Sequence, residues 1–165
     1  MEFIIKSILF RRSCRLYSKQ FVAEETICHL ISAASMAPSG KNIQPWRFKV
    51  VNDRNIINII SEISTINKWM KTAPCIVAVF LDTEYSYDLI KDSMAIGAAI
   101  QNLLLEANAA GLSTCWVGEC INKEDSIKGI LNINGRFKLM AIITIGYCEK
   151  ELPKTPRKKV EELIL

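Results

Sequence analysis

The run Cys75-Ile76-Val77-Ala78-Val79-Phe80-Leu81 decides how this chain folds. It is continuously apolar and rich in β-branched side chains, so it offers water no face. Such a run reads as a central strand covered on both sides. Met94 to Ile100 is equally long, and no apolar run is longer. A bilayer-spanning helix needs about 20 apolar residues, so nothing here is expected to cross a membrane. A strand with two dry faces needs amphipathic partners on both.

Those partners lie on either side of it in the sequence. Ala23 to Met36 carries Ile27, Leu30, Ile31 and Ala34 at helical spacing and stops at Ala37-Pro38-Ser39-Gly40, whose residues disfavour continuation. Trp46 to Val51 alternates as a strand, and Ile56 to Ile66 is helical. Phe3 to Phe10 is a short helix ahead of an arginine run. Downstream, a long helix is expected from about Tyr87 to Ala110, with Gly111 as its stop. Strands over Thr114–Gly118 and Leu139–Tyr147 follow, with a helix over Lys123–Leu131 between them. The charged segment after Cys148, with Pro153 and Pro156, reads as an extended tail. No repeat or linker is visible, so residues 1–165 read as one α/β layered domain, with 151–165 as its tail.

Composition narrows the classes. At 165 residues, with 50% hydrophobic and 23% charged residues, the chain is neither disordered nor too short for a core. The net charge of +4 is too mild to demand a nucleic acid. Its placement says more. Lys6, Arg11, Arg12, Arg15 and Lys19 face only Glu2 in the first twenty residues, and Lys154, Arg157, Lys158 and Lys159 cluster near the other end. The two clusters either converge on one small anion or are separate solvated patches. Six cysteines without a C-x-x-C pair, behind an N-terminus that lacks a secretory signal, read as reduced thiols in a cytosol. The single histidine, His29, reads as structural, and no metal site is expected.

No G-x-G, P-loop or G-x-S-x-G motif occurs, and no paired carboxylates stand out. Any redox or transfer chemistry therefore falls to a bound cofactor. Three segments carry possible contacts. Arg11-Arg12-Ser13-Cys14-Arg15 offers three guanidinium forks and a hydroxyl, a donor set suited to a phosphate dianion. Ala37-Pro38-Ser39-Gly40-Lys41-Asn42-Ile43-Gln44-Pro45-Trp46 is a turn by composition up to Gly40, but that does not explain Asn42, Gln44 and Trp46. Gly111-Leu112-Ser113-Thr114-Cys115-Trp116-Val117-Gly118 sets a bulky ring beside a glycine in a strand; core packing is its ordinary reading.

Taken in order, these segments resemble the nitroreductase family of FMN-dependent oxidoreductases, over roughly Leu9 to Lys159. APSGKNIQPW is the most specific match. RRSCR, GLSTCWVG, Ile145-Gly146-Tyr147 and TPRKK agree with it in order and spacing. The resemblance implies a central mixed, mostly antiparallel sheet flanked by helices, with a C-terminal tail that reaches a partner subunit. It implies FMN held at the interface of an obligate homodimer. Arg11, Arg12, Ser13 and Arg15 would hold the phosphate and ribityl chain, joined by Arg157. Pro38, Ser39 and Asn42 of the partner would line the isoalloxazine ring. Cys115, Trp116 and Gly118 would lie along its other side, mainly through backbone groups. Gln101 is a further contact, and Asn67 and Lys71 would meet the pyrimidine edge.

The resemblance requires no side-chain acid or base, so no catalytic residue is nominated. Only about six residues separate Leu81 from the long helix, so a helical lid over the flavin would be short or missing. An open site accepts many substrates or takes one supplied by another protein. The leading expectation is hydride transfer from NAD(P)H through FMN to a nitro or quinone acceptor, in a ping-pong cycle. The alternatives are a flavin protein without turnover, acting as electron carrier or FMN store, and a basic module binding nucleic acid.

Overall fold

The computed structural model describes residues 2–165, with side chains from Lys6 onward. In chain order the elements are α1 (Glu2–Phe10), α2 (Glu24–Ser35), β1 (Trp46–Val51), α3 (Arg54–Ile63), β2 (Cys75–Asp82), α4 (Leu89–Ala109), β3 (Ser113–Val117), α5 (Glu124–Leu131) and β4 (Phe137–Gly146). Every residue of β2 is buried. Alternation along the strand sends Cys75, Val77, Val79 and Leu81 into a core shared with α2 and α4. Ile76, Ala78 and Phe80 enter a second core with α3 and α5. The result is a sheet between two helical layers.

The strand order is β1-β2-β4-β3. Every ladder is antiparallel, with Val77 opposite Ile143 at the centre and a register shift at Val79/Phe80. Among the described residues the parallel component of the expected mixed sheet is one bridge, Ser13 to Thr114. Element boundaries follow the caps. α3 begins at Arg54, earlier than periodicity suggests, because the Asp53 carboxylate accepts from the Asn55 and Ile56 amides at 2.8 and 3.1 Å. α4 ends as expected at Gly111, whose φ of 75° turns the chain so that the Leu112 amide returns to the Ala107 carbonyl at 2.8 Å. Ala95 and Ala99 of α4 pack into the α2/α4 core of the chain itself.

Asp82 closes β2 with a wholly buried carboxylate. Arg136 grips it at 2.7 Å through both Nε and Nη2, and Arg47 reaches it at 3.0 Å. Bidentate pairing compensates the desolvated charge, and the Arg136 bond holds the carboxyl below its usual pKa. This joint ties β1, β2 and the approach to β4 at one end of the sheet.

One expectation is corrected here. Cys14 and Cys148 are not free thiols; they form a disulfide, with 6.0 Å between Cα atoms and a sequence separation of 134. Cys148 lies just beyond β4, opposite Tyr17 in an isolated bridge. Chain-entropy arguments assign a loop of that length about 5 kcal/mol. The reduced-thiol reading of the cysteines fails for this pair. Cys28, Cys75, Cys115 and Cys120 are free. His29 lies on the surface of α2, paired at 3.0 Å with Glu106.

Gly146 sits where β4 meets Pro74 and Tyr17. A Cβ there would come within 2.6 Å of Pro74 Cδ and 2.9 Å of Tyr17 Cδ1. Gly146→Ala should destabilise by about 1–3 kcal/mol. Gly129→Ala, in α5 with open space around it, should be neutral or slightly stabilising. Denaturant midpoints of the two variants check this; equal midpoints would refute the clash.

Candidate functional site

Residues 11–17 run along the free side of β3. Ser13 bridges Thr114, and the Cys14 amide donates to the Thr114 carbonyl at 2.9 Å. The chain leaving β4 returns beside them. The Ser18 amide donates to Tyr147 O at 2.8 Å and the Glu149 amide to Leu16 O at 3.0 Å. The two ends of the sequence thus wall a cleft of about 570 Å³, lined by Arg11, Arg12, Ser13, Arg15, Lys150, Glu151 and Arg157. The two basic clusters meet here in part: Arg11, Arg12 and Arg15 from one and Arg157 from the other line the cleft, whereas Lys154, Lys158 and Lys159 do not.

None of Arg11, Arg12, Arg15 and Arg157 forms an ion pair with a carboxylate among the described residues, although Glu151 shares the cleft. Arg12 is held in place by its Nη1 donating to Leu9 O at 2.7 Å and Arg11 O at 2.9 Å, while its buried Nε has no acceptor. Arg157 Nη1 donates to Thr155 Oγ1 at 3.0 Å. Arg15 stacks over the Trp69 ring at 5.8 Å. Burial, then the like charges of Arg157 and Arg12, lower the Arg11 pKa. A cluster of positive groups without counter-charge, including a buried orphan donor, has the chemistry to hold an anion. Beneath it, burial pushes the Cys115 thiol up, against the neighbouring Arg15 and a bond to Ser13.

Next to Arg15 lies a polar network. The Asn67 side-chain amide donates to Glu119 at 3.0 Å, the Ser64 hydroxyl donates to the same oxygen at 2.8 Å, and Trp69 Nε1 donates to Asn67 Oδ1 at 3.2 Å. Asn67 therefore stands one aromatic ring from the arginines, facing the turn Glu119–Lys123 that follows Gly118. Lys71 is turned to Glu62 at 3.2 Å. Trp116 projects from β3 opposite to Cys115, is 42% exposed, and covers Gly97 of α4. Gln101, one turn beyond Gly97, is exposed on that same side of the sheet. Sequence reasoning missed Glu119, Trp69 and Cys148. Glu119 directly follows Gly118 and could have been weighed with it; Cys148 carried no local signal.

Pro38, Ser39 and Asn42 are not in the cleft. Their loop carries Lys41, Asn42 and Gln44 at φ 53°, 56° and 50°, a run of left-handed residues that is costly without local support. Ser39 Oγ accepts from the Gln44 amide at 3.0 Å, and Gln44 Nε2 donates to Asn42 Oδ1 at 3.2 Å. Gly40 lies against Tyr87 with no room for a side chain. The loop feeds β1, at the opposite sheet edge from β3. Three strand spacings, about 14 Å, separate those edges.

The sequence matches the Nitroreductase family over residues 8–65 and 61–147. The chain belongs to this family. A crystal structure with FMN bound, of a protein from Desulfovibrio desulfuricans provisionally named a nitroreductase, is 34% identical to this nitroreductase-family chain. It superimposes with a TM-score of 0.92 over 98% of this chain and 95% of that one. A Clostridium acetobutylicum protein provisionally named NADH oxidase is 32% identical, with a TM-score of 0.86 and coverage of 96% and 97%. An Archaeoglobus fulgidus protein with the provisional name NADH dehydrogenase/NAD(P)H nitroreductase is 32% identical over 92% of this chain and 88% of its own length.

The cleft's anion preference is directly measurable. Millimolar inorganic phosphate should raise the melting temperature of the family member described here by mass action. Arg11→Ala and Arg157→Ala should abolish that rise, and Lys19→Ala should keep it. A rise that survives both arginine changes would place the anion elsewhere.

Proposed function

We propose that the chain is an FMN-dependent oxidoreductase that takes hydride from NAD(P)H and passes it to a nitroaromatic or quinone acceptor in a ping-pong cycle. The observation that carries this reading is the convergence of Arg11, Arg12, Arg15 and Arg157 without a carboxylate partner. The flavin comes from the family and from the FMN-bound relative. When bound, FMN supplies two-electron hydride chemistry, which the side chains of the cleft could not perform.

The chain's own residues bind and orient. The guanidinium forks of Arg11, Arg12 and Arg15 and the Ser13 hydroxyl take the phosphate, with Arg157 closing the cleft from the tail. Asn67, held by Glu119 and Trp69, presents its amide to the pyrimidine edge, and Lys71 adds a cation once released from Glu62. Backbone groups from Cys115 to Gly118 lie along one side of the ring, with Trp116 and Gln101 at its margin. Pro38, Ser39 and Asn42 complete the opposite side from a second copy, because their own chain carries them to the far sheet edge. The tail supports this homodimer. It carries Val160, Leu163, Ile164 and Leu165, all large apolar side chains left mostly exposed.

Two measurements test the proposal. In stopped flow, millimolar NADH or NADPH should bleach the bound flavin absorbance, and a quinone or nitroaromatic should restore it. A flavin bleached by neither nicotinamide rejects them as donors and favours the electron carrier. For the dimer, deleting residues 151–165 should lower flavin retention and dimer stability together. Sedimentation of a truncated chain that stays a fully flavinated dimer would reject the composite site.

A further inference from the structure

We propose that Cys14 and Cys148 form a thiol–disulfide exchange site whose state sets how firmly the cleft holds the phosphate end of FMN; this rests on the FMN reading above. The bond joins the two walls of the cleft. Cys14 lies inside the Arg11–Arg15 run, and Cys148 opens the segment that delivers Lys150 and Arg157. Without the bond, Cys14 stays anchored to β3 through its amide and to Tyr17 through its carbonyl, and the backbone contacts that still join its segment to the Cys148 segment are the Tyr17–Cys148 bridge and the two amides at Ser18 and Glu149.

The two sulfurs differ in access. Cys14 is wholly buried, whereas Cys148 is half-buried and lines both the arginine cleft and the neighbouring groove beside Phe10 and Leu112. An external thiol therefore reaches Cys148 first. Both sulfurs also lie near one acceptor, the Leu16 carbonyl, at 3.1 Å from Cys14 Sγ and 3.5 Å from Cys148 Sγ. The disulfide has no S–H to donate, but the reduced pair does, so the same backbone accommodates both states. The remaining cysteines do not compete: Cys75, Cys115 and Cys120 are buried, and Cys28 is on α2.

The reductant is a dithiol. Its thiolate attacks Cys148 Sγ, a bond forms between those sulfurs, and the Cys14–Cys148 bond breaks. Cys14 leaves as a thiolate in a cationic segment and takes up a proton. The second sulfur of the dithiol then attacks the mixed disulfide, freeing Cys148 as a thiol and closing a cyclic disulfide. Two electrons pass from the dithiol to the protein pair, and the reverse exchange restores the bond.

The flavin-loaded protein is equilibrated with oxidised or reduced dithiothreitol, alkylated and mapped by mass spectrometry, while FMN release is followed by flavin fluorescence after dilution. The expected result is a Cys14–Cys148 cross-linked peptide in the oxidised sample and alkylation of both cysteines in the reduced one. FMN should leave at least tenfold faster from the reduced form, riboflavin at nearly the same rate from both. Cys148→Ser should release FMN fast whatever the dithiol. Absence of the cross-link, or equal FMN release from both forms, overturns the exchange site. A protein that binds FMN in neither state overturns it too, but does so at the flavin reading.

Discussion

A strand with no wet face constrains everything else in this molecule. Because β2 is buried at every position, helices must cover both sides of the sheet, and β2 must have neighbours on both of its edges. Those neighbours are β1 and β4, which leaves β1 and β3 at the margins. The loop before β1 and the segment beside β3 are thereby held apart by the width of the sheet. The same strand ends in Asp82, whose buried carboxylate collects Arg47 and Arg136. Core packing thus decides where the polar groups of the site can and cannot meet.

The cleft beside β3 works by the opposite principle. At the Asp82 joint, cations surround an internal anion and the charges are satisfied within the fold. At the cleft, arginines from both termini approach one another with no such partner, and their mutual repulsion is opposed by backbone anchoring of residues 12–18 and 147–149. Repulsion of this kind is what an external dianion would relieve. The cleft is therefore preorganised in charge as well as in shape.

Much of this was legible in the sequence where the signal is local. The continuous apolar run gave β2, helical spacing of Ile27, Leu30 and Ala34 gave α2, and Gly111 marked the end of α4. The arginine run and the left-handed loop stood out because their residue types are unusual for a bare turn. What the sequence hid was long-range. Nothing near Cys148 announces Cys14, 134 residues earlier. Nothing near Asn67 announces Glu119, because that contact exists only once the segment after α3 packs against the turn after β3. The split between Cys115 and Trp116 was available, since neighbours in a strand point to opposite faces.

The connection from β2 to α4 has a kinetic consequence. From Thr83 to Asp88, each residue is tied down: Thr83 to the Arg136 carbonyl, Glu84 and Tyr85 to Asp82, and Ser86, Tyr87 and Asp88 to the buried carboxylate of Asp92. Where larger enzymes swing a loop shut over their reactants, this segment has neither the length nor the freedom to do so. Hinged closure of this connection would have to break those bonds, so a lid motion that paced a reaction would have to come from another segment.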